Sequence, residues 1–180
     1  MAHINVPEGV PGIRSLVMFR PETGKPLYEL AQALLRSSST LSQADRELIA
    51  SYVSSKNDCM FCMNSHAAVA RYLYENEKGL VDFVLEDYMN APISEKLKAL
   101  LSIAGKVQQD ARTVSSEDVA HAKKEGASEQ EIHDTVLIAA SFCMFNRYVD
   151  GLASFTPTEP EAYEAMAERM ANGYTLPKQK

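Results

Sequence analysis

Glu47, Cys59, Cys62 and His66 form the pattern E-x11-C-x2-C-x3-H, and these residue types at these spacings can do thiol redox chemistry. Two of the chain's three cysteines stand three residues apart, a histidine follows one turn later, and a carboxylate lies upstream. A thiolate can be oxidised by peroxide to a sulfenic acid, which a second thiol then closes to a disulfide. Two cysteines at i and i+3 of a first helical turn reach disulfide geometry with modest adjustment. The same residues could hold zinc, since two cysteines, a histidine and a carboxylate make a four-ligand set. A second C-x-x-C is absent, however, so the fourth ligand would have to come from another element. Haem attachment requires the histidine directly after the second cysteine, and Met63 is there. An inert buried pair is the remaining reading.

The elements that must position these groups read as helices, so an all-α fold is expected. Placed at ~100° per residue, Cys59, Cys62 and His66 share an arc with Val69, Ala70 and Leu73. The thiols and the imidazole therefore lie on an apolar, inward-turned face in a half-buried site. Unpaired N–H groups at the start of that helix, roughly 59–76, favour a thiolate. His66 is at i+4 from Cys62 and could take its proton directly or through a water. The helix dipole favours Cys59 as the attacking thiol and the neighbouring histidine favours Cys62, so both remain open. Glu47 cannot meet them along one straight helix, because twelve residues rise ~18 Å. A break at Asn57-Asp58, with Asp58 as N-cap, lets the preceding helix fold back and bring Glu47 to His66.

Residues 1–26 read as an irregular N-terminal arm, with Pro7, Pro11, Gly12, Pro21, Gly24 and Pro26 within it. A helical domain spans 27–152, and 153–180 reads as a loop and a final helix, 160–172, packed on the same domain. Leu27, Leu30, Ala31, Leu34 and Leu35 repeat at helical spacing, ended by the Ser37–Thr40 run. Ser42-x-x-Asp45 and Ser128-x-x-Glu131 are capping boxes, Ser115-x-x-Asp118 starts a short helix that stops near Gly126, and Ser94 caps a further helix. Glu131, Cys143, Met144 and Phe145 repeat the spacing of Glu47, Cys59, Met60 and Phe61, with Asn146 and Asp150 where the first copy has Cys62 and His66. This echo reads as an old duplication of a helical pair or as coincidence, and the second copy lacks the chemistry. Cys143 reads as core, His121 and His133 as surface positions, and Asn146-Arg147 as a polar anchor at a subunit interface or a solvated end.

The chain has 180 residues, 46% hydrophobic and 23% charged, enough for one domain with a sizeable core. Its net charge of -6, with no basic run, gives nucleic acid nothing to bind. No apolar run is long enough for a membrane span, and Met1 to Glu8 do not read as a secretory signal. An odd, small cysteine count fits a reducing cytoplasm, where a C-x-x-C pair is catalytic or metal-binding rather than structural.

The motif, with Leu41-Ser42-x-x-Asp45-Arg46 before it, Pro11-Gly12-Ile13 upstream and Asn146-Arg147-x-x-Asp150-Gly151 downstream, resembles the AhpD-like alkylhydroperoxidases, in the peroxidase-related branch of the carboxymuconolactone decarboxylase superfamily. The resemblance covers most of residues 10–152. It implies an all-α fold assembling as trimers or hexamers, and hydroperoxide reduction without a bound prosthetic group. A dithiol, or a thioredoxin- or lipoyl-type protein, would return the electrons. By carry-over Cys62 is the peroxidatic nucleophile, Cys59 the resolving thiol, and Glu47 and His66 the proton relay. The family's relay also uses a histidine directly before the second cysteine, where this chain has Phe61. Family decarboxylases generally lack the C-x-x-C pair. The expected function is thus a thiol peroxidase acting through Cys59 and Cys62; the alternative is a non-catalytic helical oligomer whose dithiol senses redox state or binds zinc.

Overall fold

The computed structural model describes residues 2–175, and among them every regular element is helical. The α-helices are α1 (Ile13–Phe19), α2 (Pro21–Arg36), α3 (Gln43–Lys56), α4 (Met60–Tyr74), α5 (Gly79–Asp87), α6 (Glu95–Asp110), α7 (Ser116–Lys124), α8 (Glu129–Gly151) and α9 (Pro160–Ala171). The core is built where α3, α6 and α8 meet, around Leu48, Ile49, Leu100, Leu101, Ile103, Ile138 and Phe142, all essentially without exposed surface. No helix among the described residues is long and apolar enough to cross a membrane.

Hydroxyl caps set several helix starts. Ser42, Ser94, Ser115 and Ser128 each accept the backbone N–H three residues on, and the last two close full capping boxes with Asp118 and Glu131. The C-terminus of α2 is tied down by Arg46, whose Nη1 donates to the carbonyls of Leu34 and Ser37, both at 3.0 Å. A cation there also complements the negative end of the helix dipole.

The proline-rich start is not irregular as its composition predicts. It holds α1, and α2 begins at Pro21 rather than at Leu27. Pro21 occupies the first helical position, where its missing N–H is no loss. Pro26 lies inside α2 and forfeits one bond, which burial of Tyr28, Ala31, Leu34 and Leu35 offsets. Gly24 lets α1 cross closely, since a Cβ there would stand 2.6 Å from the Cβ of Val17. Helix α5 begins at Gly79 without a side-chain cap and carried no such signal.

The internal echo is not a structural repeat. Glu47 and Cys59 lie on either side of the α3–α4 turn, whereas Glu131 and Cys143 lie on one continuous helix, α8. Glu131 serves its own capping box: it accepts from the Ser128 N–H at 2.7 Å and from Lys96 Nζ at 2.9 Å.

Candidate functional site

The fold-back that brings the motif together is the α3–α4 turn. The N–H groups of Asp58 and Cys59 donate to the carbonyls of Ser55 and Ser54 at 3.1 and 3.0 Å. Asp58 takes a left-handed φ of 56°, which Asp tolerates better than most residues. Cys59 rather than Asp58 is therefore the N-cap of α4, its carbonyl accepting the Met63 N–H at 2.9 Å. Ser51 on α3 donates to the Met63 carbonyl at 2.9 Å and fixes the register of the two helices.

This antiparallel pairing places Glu47, eleven residues before the turn, against His66, eight residues after it. The Glu47 Oε2 to His66 Nδ1 distance is 2.6 Å, and Glu47 has no exposed surface. Two further groups hold the other carboxylate oxygen: Arg36 Nη2 donates to Oε1 at 2.5 Å, and the Tyr174 hydroxyl donates to it at 2.6 Å. Burial alone would raise the Glu47 pKa, but the His66 charge and hydrogen bond, then Arg36 and Tyr174, outweigh it and the net direction is down. Glu47 is thus an anion at neutral pH. Tyr174 is pushed well above the ordinary tyrosine range by burial and by the Glu47 charge, so it stays protonated and donates. Its ring also stacks on His66, and the Arg36 guanidinium lies over it, 5.0 Å from the ring centroid.

Cys59 and Cys62 are free thiols, both buried, Cys62 keeping 4% of its surface. They sit deeper than the half-buried site expected. Cys62 lies in the first turn of α4, yet its thiol is held well above the ordinary cysteine range. The causes are its hydrogen bond with Cys59, burial and the neighbouring Cys59 charge, opposed by a hydrogen bond from Asn146. The unpaired N–H groups of the helix start do not outweigh these effects.

Cys62, Ser65 and His66 line one wall of a cavity of about 60 Å³, with Phe61, Phe142 and Tyr174 also on it. With Nδ1 committed to Glu47, Nε2 is the His66 nitrogen left for the cavity. No Cys62–His66 hydrogen bond is formed among the described residues, so a proton would pass through a water or the substrate itself. Phe61 fills the position of the expected relay histidine; its ring lies over Gly12 and 6.2 Å from that of Tyr163.

Three partners of the site escape the sequence pattern. Arg36 and Tyr174 belong to no motif, and reach Glu47 only because α9 packs on α4 and Arg36 Nη2 and Nε donate to the carbonyls of Met170 and Ala171. Asn146 is buried instead of sitting at a subunit surface: it bonds Ser54 and Asn57 at 3.0 and 2.8 Å and meets Cys62. Arg147 beside it is exposed, as are His121 and His133. Among the described residues no group of three or more His, Cys, Asp or Glu side chains is arranged to hold a metal ion.

Helices α2 to α4, residues 21–78, match the model of the carboxymuconolactone decarboxylase family. No curated protein matches the chain. Among solved structures, an uncharacterised peroxidase-related protein from Silicibacter sp. is 25% identical with a TM-score of 0.78, over 86% of this chain and 79% of its own. An uncharacterised peroxidase-related protein with an alkylhydroperoxidase AhpD core, from Ralstonia eutropha, is 22% identical with a TM-score of 0.81, over 92% and 96%. A protein of unknown function from Agrobacterium tumefaciens, named as a candidate antioxidant defence protein AhpD, is 22% identical with a TM-score of 0.71, over 88% and 100%. The sequence match is thus confined to residues 21–78, while the fold as a whole is that of these AhpD-like, peroxidase-related structures.

Proposed function

We propose that the protein is a thiol-dependent peroxidase that reduces hydroperoxides through a Cys59/Cys62 dithiol–disulfide cycle. The observation that carries this reading is the buried Glu47–His66 pair, 2.6 Å apart, opening on the cavity that Cys62 lines. The peroxidase-related names of the Silicibacter and Ralstonia neighbours point the same way.

A thiol held up by burial and by Cys59 reacts only when a base takes its proton. His66 Nε2 serves as that base, directly or through a water, while Glu47 fixes the imidazole and stabilises its cation. The Cys62 thiolate attacks one oxygen of the hydroperoxide; the S–O bond forms, the O–O bond breaks, and His66 returns the proton to the leaving alkoxide, which departs as an alcohol. The Cys59 thiol then attacks the Cys62 sulfenic acid, water leaves, and a disulfide forms. A dithiol, free or carried on a thioredoxin- or lipoyl-type protein, supplies two electrons and two protons to reopen it. A reducing cytoplasm and a trimeric or hexameric assembly are part of this reading.

Mild peroxide should convert Cys59 and Cys62 to one intramolecular disulfide, leaving Cys143 free. Peptide mapping with intact mass checks this; two free thiols at 59 and 62 after oxidation would contradict it. The upward shift of Cys62 favours a second reading, a sensor that closes the disulfide without turnover, which steady-state assays with several electron donors separate.

A further inference from the structure

Resting on the peroxidase reading, we infer that the substrate is the hydroperoxide of an amphipathic carboxylic acid, its acid group held by Arg14 and Arg169 and its peroxide end by Ser65 beside Cys62. Both arginines line the cavity that reaches Cys62 and His66. Neither forms an ion pair among the described residues, unlike Arg36, Arg71 and Arg112. Arg14 is half-buried on α1, and its Nε is enclosed without a hydrogen-bond partner; Arg169 is exposed on α9. Two cations lining one cavity, one with an idle buried donor, suit an anion supplied from outside, and a guanidinium matches a carboxylate two bonds at a time.

The interior of the same cavity is apolar, walled by Leu27, Ala31, Phe142 and Met166 among others. That wall accepts an alkyl chain and offers nothing to a small polar peroxide. Ser65 also lines the cavity, 2% exposed, one helical turn after Cys62, its hydroxyl buried with no partner. A serine in a helix ordinarily bonds back to the preceding turn; left idle on the cavity wall, this one can donate to a peroxide oxygen. Tyr28 lines the same cavity: burial raises its pKa while Arg169 and Arg14 pull against it, so both charges are felt inside the cavity.

Steady-state reduction of a medium-chain hydroperoxy fatty acid and of its methyl ester, by wild type, R14Q/R169Q and R14K/R169K, tests the acid site. Wild type should prefer the acid in kcat/KM by about tenfold or more. R14Q/R169Q should lose that preference and the lysine pair should retain part of it. Equal kcat/KM for acid and ester in wild type would overturn the inference. Calorimetric titration with octanoate and with octanol gives a readout that needs no turnover. Octanoate should bind wild type at least about tenfold more tightly than it binds R14Q/R169Q; absent or unchanged octanoate binding would overturn the site. If octanoate binds through the arginines but no hydroperoxide is consumed, the carboxylate site stands and the peroxidase reading falls.

Discussion

Glu47 is the residue on which the site turns. It is fully buried, carries a charge, and meets His66, Arg36 and Tyr174 within hydrogen-bond distance. Replacing it with glutamine keeps the shape and removes the charge. E47Q should lower peroxide reduction by about a hundredfold or more, the range for a positioned acid–base relay. It should also cost about 3 kcal/mol, because the Arg36 guanidinium, 4% exposed, is left buried without its counter-charge. Turnover measured beside a urea titration separates the two effects; unchanged turnover in a folded variant would contradict the relay. The four motif residues were legible because helical geometry fixes Cys59, Cys62 and His66 on one face, and a single break suffices to return Glu47. Arg36, Tyr174 and Asn146 were not, because they reach the site through packing of α2, α9 and α8, which no local spacing encodes. The direction of the Cys62 shift was also not legible: a helix start lowers a thiol pKa, but the partner thiol and burial win here.

Among elements, the α3–α4 hairpin and α1 do the positioning. The turn was visible as Asn57-Asp58, but Asp58 supplies a left-handed residue instead of a cap, and Cys59 takes the N-cap. Both helices were legible from caps and apolar spacing. Helix α1 was not, since its prolines and glycine suggested an arm; one of those residues, Gly12, instead seats Phe61. Gly12 has a φ of 55°, and a Cβ there would enter the space of the Phe61 ring. G12A should therefore destabilise the protein by roughly 2–4 kcal/mol, from overpacking and the left-handed backbone together. A fall of roughly 5–15 °C in Tm by calorimetry is expected; an unchanged Tm would show that Phe61 can move away freely. The long helix α8 shows the limit of spacing alone, since it reproduces E-x11-C while its Glu131 only caps and its Asn146 contacts the other copy's Cys62.

For the whole molecule, the all-helical class was legible from capping signals and periodicity, while the meeting of five elements around one small cavity was not. Charge sets the molecule's response to acid. Glu47 and Glu131 lie below the ordinary carboxylate range, and Asp118 is drawn down to about 2 by its Lys106 hydrogen bonds. For Glu131, burial raises the pKa but the Ser128 N–H and Lys96 outweigh it. Depressed folded values mean the unfolded chain binds more protons in acid. The stability these groups contribute is therefore present above about pH 4 and lost as pH falls through the folded values. Urea midpoints should be nearly level from neutral pH to about 5 and fall below about 4; a midpoint that held steady into acid would contradict the assignment of these three anions. The central claim concerns Cys62, and the most direct measurement is hydroperoxide consumption with a dithiol reductant, comparing wild type with C62S. Wild type should consume hydroperoxide catalytically and C62S should fall to the rate of the reductant alone; equal consumption by the two proteins would contradict it.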